Sequence, residues 1–241
     1  QRRGHEKVAI DADERVAGQR LVAALAHGRD DRAALRLSLH QHVDMEAGGD
    51  VVGTYRLLRQ DAALTAGGFY SSEEFEIESL VARHPTLRFL ELGRSCVLPP
   101  YRSKRTIELL WQGIWAYVKR HDIGVMTGCA SFPGVVPAAH AEALSFLAHN
   151  CRADAHWDVR AVAERYHPID LMPSEAVDMR AALAAMPPLI KGYLRLGGRI
   201  GDGCVIDHDF GTTDVFVVLP VEAISARYVN HYGTDAQRFA A

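Results

Sequence analysis

The stretch LRFLELGRSCVLPPYRSKRTIELLWQGIWAYVKR, residues 87–120, has the clearest structural pattern in this chain of 241 residues. A strand is predicted over Leu87–Leu98, ending at Pro99 and Pro100, and a helix over Lys104–Arg120. Apolar residues recur every three or four positions along that helix: Ile107, Leu110, Trp111, Ile114 and Val118. A strand that leads into a helix with one apolar face predicts a helix packed on a sheet.

Further elements are predicted on both sides of this stretch. Alternating apolar and polar residues predict an antiparallel hairpin, with strands over Leu35–Met45 and Val51–Leu58 and a turn at Gly48-Gly49-Asp50. The other predicted strands are Ile123–Ala130, Arg199–Ile206 and Asp214–Leu219. The other predicted helices are Asp13–His27, Ala138–Asn150 and Ser174–Met186, the last stopped by Pro187-Pro188. This order predicts a single domain over residues 1–241, of the α/β (α+β) class, with a mixed twisted sheet flanked by helices.

The composition of the chain argues against several classes of protein. The chain has 27 Lys and Arg against 30 Asp and Glu, a formal charge of -3, so we expect no nucleic-acid partner. The four cysteines stand singly, without a Cys-x-x-Cys pair, which argues against a disulfide framework and indicates a reducing compartment. No apolar run approaches the roughly 18 residues that a membrane span needs. We therefore expect a cytoplasmic protein that is at most peripheral on a membrane.

Cations cluster at the start of the predicted helix. Arg102, Lys104 and Arg105 lie where a strand leads into a helix. Backbone N–H groups and the positive end of the helix dipole at such a junction favour a phosphate group. The alternative is an ordinary solvated first turn, and the spacing of the residues leaves both interpretations open.

Glu91 is a candidate general base. Glu91 and Arg94 point to opposite faces of the strand unless a bulge intervenes, and Gly93 between them favours a bulge. Burial favours the neutral form of a carboxyl group, which suits proton exchange with an amine near neutral pH. The plainer alternative is that Glu91 pairs with an arginine such as Arg56.

Two short clusters resemble parts of metal sites. His40-x-His42 places two imidazoles on one strand face, and Asp207-His208-Asp209 gathers nitrogen and oxygen ligands. Neither has a third and fourth ligand at a recognisable spacing, so no metal is expected. The sequence also lacks a Gly-x-Ser-x-Gly elbow for a serine nucleophile.

Several longer blocks occur in an order that is typical of one family. They are Val52-Gly53-Thr54-Tyr55-Arg56-Leu57-Leu58, Gly68-Phe69-Tyr70-Ser71, Glu91-Leu92-Gly93-Arg94-Ser95-Cys96-Val97, Tyr101-Arg102, Leu110-Trp111, Ala130-Ser131-Phe132, 187–197, Asp207-x-Asp209-Phe210-Gly211-Thr212 and Asp214-Val215-Phe216. Over residues 51–219 this order resembles the ornithine N-alpha-acyltransferases, haemolysin-like members of the GNAT superfamily that make lyso-ornithine lipid in bacteria. The Gly-x-x-Arg-Leu-Leu and Glu-x-x-Arg patterns are also similar to those of acyl-homoserine-lactone synthases.

This resemblance implies a GNAT-like fold and a reaction. A 3-hydroxyacyl chain would pass from acyl carrier protein, the co-substrate, to the α-amino group of ornithine, without a cofactor. Glu91 would be the general base, directly or through water, while Arg56 and Arg94 would be structural or would orient the substrate. The thioester arm would lie where the strands at Glu91 and Met126 part.

The resemblance also assigns residues to the two substrates. Four residues would contact the acidic carrier and its phosphopantetheine: Tyr101, Arg102, Lys104 and Arg105. Ser131 and Phe132 are candidates for substrate binding. Ornithine carries a second cation, for which Asp207 or Asp209 would supply a carboxylate, although both residues are equally typical of turns.

The first 50 residues depart from the family. They contain no aromatic residue, because all Trp, Tyr and Phe residues lie at or after Tyr55. The family normally begins with an Arg-rich and aromatic-rich segment that is associated with the acceptor. The alternatives left open are therefore transfer to another amino acid or amine and an inactive module that binds an acyl carrier or a lipid. An acylated product implies delivery to a bilayer, and hence peripheral contact with the inner membrane.

Overall fold

The computed structural model describes residues 7–10, 41–47 and 50–225, with side chains from residue 52 onward. Contacts within the chain group these residues into two compact units. The first contains the described residues up to 68 together with residues 90–123, and the second contains residues 69–89 and 124–225. The predicted helix Asp13–His27 and the start of the predicted strand Leu35–Met45 lie outside the described residues.

The described strands and helices follow one another along the chain. The order is β1 (Lys7–Ile10), β2 (Gln41–Ala47), β3 (Asp50–Arg59), α1 (Gln60–Thr65), α2 (Ile77–Arg83), β4 (Phe89–Val97), α3 (Lys104–Arg120), β5 (Val125–Pro133), α4 (Ala141–Asn150), α5 (Met179–Ala185), α6 (Pro188–Leu196), β6 (Arg199–Asp207) and β7 (Thr212–Pro220). This mixture of strands and helices confirms the predicted α/β class.

In the first unit, strands β1 to β4 are antiparallel neighbours in chain order. The pairing of β2 with β3 confirms the predicted hairpin. The ladder between β3 and β4 contains a bulge, because Thr54 pairs with Cys96 while Arg56 pairs with Gly93. Strand β4 therefore has one more residue than β3 between these two pairs.

Helix α3 has the bounds that its apolar periodicity predicts. Ser103 precedes it in an extended conformation, and its hydroxyl group accepts a hydrogen bond from the Thr106 N–H at 3.2 Å. Such a cap satisfies one of the N–H groups that a helix start leaves without a partner. The Thr106 hydroxyl donates in turn to the Tyr101 carbonyl, at 2.5 Å, so the junction between β4 and α3 is held in one conformation.

Helix α3 covers one face of the sheet in the first unit. A Cβ atom on Gly53 would stand 3.4 Å from the Leu110 side chain. The rings of Tyr55 and Trp111 meet edge to face, with centroids 6.4 Å apart. Because neighbouring strand residues point to opposite faces, Arg56 points away from α3.

In the second unit, β7 lies between β5 and β6 and is antiparallel to both. Between its pairs with β7 at Ile200 and Cys204, strand β6 contains an irregular segment. Gly203 in this segment has a φ of +81°, and a Cβ atom there would stand 2.4 Å from the Tyr166 ring. Both the left-handed backbone and the close ring require glycine at this position.

Two helical predictions in the second unit are corrected. The single helix predicted over Ser174–Met186 is instead a 3-10 turn, Ser174–Ala176, followed by the shorter α5, which Asp178 caps. The prolines that were predicted only to stop a helix also start one. Pro188 occupies the first turn of α6, where its missing N–H is not needed, and Gly197 with a φ of +101° ends that helix.

Within the described residues, no helix combines the length and the apolar character that a membrane span requires.

Candidate functional site

A buried ion pair lies on the face of β3 and β4 that points away from α3. Arg56 Nη2 is 4.0 Å from Glu91 Oε2, and the two side chains are 5% and 2% exposed. Arg56 pairs with Gly93 and Leu58 with Glu91, so the arginine reaches its partner diagonally across the two strands. The structure thus contains the ion pair that was the plainer alternative for Glu91, and the role of Glu91 as general base stays a prediction.

Gly93 makes room for this pair. A Cβ atom on Gly93 would stand 2.5 Å from Arg56 Nη2 and 3.1 Å from Arg56 Cζ. The guanidinium group therefore lies directly against the backbone of β4. Any side chain at position 93 would displace the Arg56 guanidinium.

The predicted bulge is present, immediately after Gly93. Arg94 has a φ of +49°, in the left-handed region, and its side chain is exposed, whereas Glu91 is buried. Bulges interrupt the hydrogen-bonded ladder and redirect side chains, and they are frequent beside active sites. Glu91 and Arg94 therefore lie in different environments although they are only three residues apart.

The four residues predicted to contact the carrier lie together at the start of α3. Tyr101, Arg102, Lys104 and Arg105 are all exposed. Arg102 Nε donates to the Val97 carbonyl at 3.0 Å. Lys104 Nζ lies 3.4 Å from the Glu108 carboxylate, one turn along the helix. Cations that coincide with the positive end of the helix dipole suit an anionic ligand. Contact with the carrier itself stays a prediction.

A second polar group lies on one face of the sheet in the second unit. Ser131 of β5 and Val205 of β6 both pair with Asp214 of β7, and Asp207 pairs with Thr212. Because partners across a ladder share a face, the side chains of Ser131, Asp207 and Asp214 all point to the same side.

Glu74 completes this group, which we call the carboxylate cluster: Glu74, Asp207 and Asp214. Oxygen atoms of the three carboxylates lie within 4.8 Å of one another, a spacing that suits a cation. Glu74 and Asp214 are each only 6% exposed. Arg165 Nη2 is 3.3 Å from Glu74 Oε1, and the Cys129 thiol donates to Glu74 Oε2 at 3.4 Å.

Burial and crowding act on two members of the carboxylate cluster. Burial, followed by the nearby Asp214 carboxylate, raises the pKa of Glu74, against the opposing effects of Cys129 and Arg165. Burial also raises the pKa of Asp214, against the lowering effects of the Ser131 and Thr212 hydroxyl groups, while the Asp207 carboxylate acts in the same direction as burial. Such shifts are common at functional sites.

The structure separates the four residues predicted to bind substrate. Asp207 belongs to the carboxylate cluster, whereas Asp209 is exposed and its N–H donates to Asp207 Oδ1 at 2.8 Å, as in a turn. Ser131 lies beside Asp214, but Phe132 points to the opposite face. Phe132 is fully buried and packs against His140, with ring centroids 5.0 Å apart. Phe132 thus packs in the core, and its role in substrate binding stays a prediction.

Of the two short clusters compared with metal sites, only Asp207-His208-Asp209 has side chains that the structure describes. His208 is exposed, and neither it nor Asp209 belongs to the carboxylate cluster. His40 and the side chain of His42 lie outside what the structure describes.

The sequence analysis did not single out Glu74 and Asp214 as site residues. Asp214 opens the apolar run Val215–Leu219, and a carboxylate beside a buried strand is a signal that could have identified it. Glu74 lies in an acidic stretch with Glu73 and Glu76, both of which are exposed, so its burial follows only from the fold.

Comparison with known proteins identifies the family to which the chain belongs. The family model described as an acetyltransferase (GNAT) domain matches residues 16–112. A protein of Brucella abortus named L-ornithine N(alpha)-acyltransferase is 56% identical over 236 residues, which cover 98% of this chain and 81% of that protein. A protein of Agrobacterium fabrum with the same name is 60% identical over 202 residues, which cover 84% of this chain and 69% of that protein.

A solved structure has the same fold. An N-acyl amino acid synthase from uncultured soil microbes superposes with a TM-score of 0.52 over 91% of this chain and 92% of that chain, at 12% sequence identity. Together with the matched domain, this superposition confirms the predicted GNAT fold. Because the curated relatives are more than half identical over more than two thirds of their length, the chain belongs to the L-ornithine N(alpha)-acyltransferase family and is an acyltransferase.

Proposed function

We propose that this protein transfers a 3-hydroxyacyl chain from acyl carrier protein to the α-amino group of L-ornithine, forming lyso-ornithine lipid. The observation that carries the proposal is the 56% identity, over 98% of the chain, to a relative named for this amine and this nitrogen. The donor and the product rest on the resemblance of the sequence blocks and on the exposed cations at the start of α3.

The proposed reaction forms an amide from a thioester. The α-ammonium group first loses a proton, and its lone pair then attacks the thioester carbonyl. As the tetrahedral intermediate collapses, the C–S bond breaks and the C–N bond remains. The nitrogen gives up its second proton, and the carrier's sulfur takes up a proton and leaves as a thiol. Glu91 accepts the proton from the amine, directly or through water, so no covalent intermediate with the enzyme is needed.

Other residues of the first unit support this step. Arg56 balances the charge of Glu91 and, with Gly93, holds the carboxylate in place. The bulge at Arg94 lies beside Glu91 on the same strand, where a backbone N–H is suited to stabilise the oxyanion. The cations at the start of α3 bind the carrier's phosphate group and its acidic surface.

The proposed product also suggests a location. A lyso-lipid must reach a bilayer, while the helices of the described residues include none that could span one. Because the product belongs in a bilayer, we propose that the protein acts in the cytoplasm, in peripheral contact with the inner membrane.

Mass spectrometry of the products tests the proposal. Purified protein is incubated with 3-hydroxypalmitoyl carrier protein and a mixture of amino acids, and release of the carrier thiol is followed in parallel. The expected product is ornithine acylated on its α-nitrogen, assigned by fragmentation. A product on another amine would overturn the choice of acceptor. Carrier binding without thiol release would overturn the reaction and indicate an inactive binding module.

The variant Glu91→Gln tests the proposed base. Turnover is expected to fall about 100-fold, because general base catalysis usually contributes that much. Glu175→Gln, which removes an exposed carboxylate from a 3-10 turn, is the control with the same chemical change. Unchanged turnover in a folded Glu91→Gln protein would remove Glu91 from the mechanism.

A further inference from the structure

The carboxylate cluster holds more negative than positive charge. Among the described residues, its three carboxylates face one guanidinium group, that of Arg165, which lies 3.3 Å from Glu74. Arg165 also donates to the carbonyl groups of Glu73, at 3.2 Å, and Ile206, at 3.3 Å, so it is anchored to the backbone on two sides. One fixed cation therefore offsets only part of the charge of the cluster.

A second observation, on Asp214, points independently to a ligand at the carboxylate cluster. Its side chain is buried, and Oδ1 accepts no hydrogen bond from any residue that the structure describes. Buried polar atoms in folded proteins almost always have a partner, and an anionic oxygen needs one most. The orphaned oxygen belongs to a carboxylate within 4.8 Å of two others, so the partner it lacks is a cationic donor.

An ammonium group fits this arrangement. It has three N–H donors and no acceptor, and the cluster supplies one carboxylate for each donor. Acceptors placed about 2.8 Å from one tetrahedral nitrogen stand roughly 4.6 Å apart, close to the spacing in the cluster. Divalent cations such as Ca²⁺ and Mg²⁺ take six or more oxygen ligands, and the Arg165 guanidinium beside Glu74 disfavours a doubly charged ion.

We infer that Glu74, Asp207 and Asp214 bind the side-chain ammonium group of the acceptor, and that this cluster selects a diamino acid over a neutral one. The inference rests on the proposed function for the nature of the acceptor. It assigns selectivity to the second unit, separately from the base proposed at Glu91. Glu74 and Asp214 thereby become residues that determine specificity without taking part in the proton transfer.

A pair of acceptors of equal length tests the inference. L-Norvaline has the carbon chain of L-ornithine without the δ-amino group. The wild-type protein is expected to prefer ornithine in kcat/KM. Asp214→Asn and Glu74→Gln should each lower kcat/KM for ornithine at least about tenfold, mainly through KM, because a hydrogen bond to a charged group is lost. The kcat/KM for norvaline should not change in either variant, and the control Glu175→Gln should keep the wild-type preference for ornithine.

Calorimetry separates failure of this inference from failure of the proposed function. Ornithine, norvaline and Mn²⁺ are titrated into protein treated with EDTA, without a thioester. Ornithine should bind to the wild type and lose affinity in Asp214→Asn, even if no acyl transfer occurs. If ornithine is acylated but the folded variants keep wild-type selectivity and binding, the inference is wrong. Binding of Mn²⁺ that Asp214→Asn abolishes and ornithine does not displace would assign the cluster to a metal instead.

Discussion

The two units each bury a polar group on one face of a sheet, and the two groups differ in their charge balance. In the first unit, Arg56 and Glu91 form a pair with one charge of each sign. In the second unit, the three carboxylates of the carboxylate cluster lie near one guanidinium group, that of Arg165. The Arg56–Glu91 pair is balanced in charge, whereas the carboxylate cluster has an excess of carboxylates and, among the described residues, no donor for Asp214 Oδ1.

This difference indicates what each group contributes. In a balanced buried pair, each charge compensates the desolvation cost of the other, so removing one member destabilises the folded state. An unbalanced group loses stability through repulsion and desolvation, and it recovers that free energy when a cation binds. We therefore expect that removing one member of the first group lowers the stability of the fold, in addition to any loss of the base proposed at Glu91, and that the second group responds to mutation as a binding site.

The largest expected effect comes from breaking the balanced pair. Glu91→Ala leaves the Arg56 guanidinium buried without its ion-pair partner, and the free energy of unfolding should fall by about 3–5 kcal/mol. The double variant Arg56→Met/Glu91→Leu removes both charges and should recover most of that loss. Urea unfolding followed by circular dichroism measures both values. A double variant less stable than Glu91→Ala would show that the pair stabilises the fold in its own right.

A smaller effect is expected from moving the pair without removing a charge. Gly93→Ala places a Cβ atom 2.5 Å from Arg56 Nη2, so the guanidinium must shift, and the free energy of unfolding should fall by about 1–3 kcal/mol. Gly192→Ala in α6 is the matched control, because no atom lies within 4 Å of the added Cβ. Alanine favours a helix, so this control should gain about 0.5–1 kcal/mol. Equal effects at both positions would contradict the packing of Arg56 on Gly93.

The smallest expected effect is a dependence of stability on pH. The raised pKa of Asp214 means that the folded state holds its proton more tightly than the unfolded state, so wild-type stability falls as pH rises through that pKa. Glu74, whose pKa is also raised, acts in the same direction, and the facing groups are Asp207, Arg165 and Cys129. The asparagine in Asp214→Asn cannot titrate. Without a cation, the stability of this variant relative to the wild type should therefore rise as pH rises from 4 to 7.

Asp61→Asn is the control of opposite sign for this measurement. Partial burial acts to raise the pKa of Asp61, but hydrogen bonds from Arg59 and the Ala62 N–H lower it overall. The contribution of Asp61 to stability is therefore present above its ordinary pKa and lost as pH falls. The stability of Asp61→Asn relative to the wild type should fall as pH rises. Thermal unfolding at several pH values measures both trends. A parallel shift of both variants would contradict the assignment of charge to the cluster.

The elements that local patterns predict well are those with complete local signals. Helix α3 has an N-cap at Ser103 and an apolar stripe over its whole length, and its predicted bounds are confirmed. Helix α6 was missed because Pro188 was interpreted only as a stop, although proline also suits a first turn. The six-residue α1 and the seven-residue α2 are too short for a stripe to stand out.

The same distinction holds for the two polar groups. The sequence alone determined the strand alternation around Arg56 and Glu91 and indicated a bulge near Gly93, because these features depend on neighbouring residues in one strand. It left the pairing of Glu91 with Arg56 as one of two alternatives, because that contact depends on how β3 and β4 pair. Only the tertiary structure decided the carboxylate cluster. Glu74 and Arg165 approach Asp207 and Asp214 from segments far apart in the chain, and the burial that distinguishes Glu74 from Glu73 and Glu76 exists only after the chain has folded.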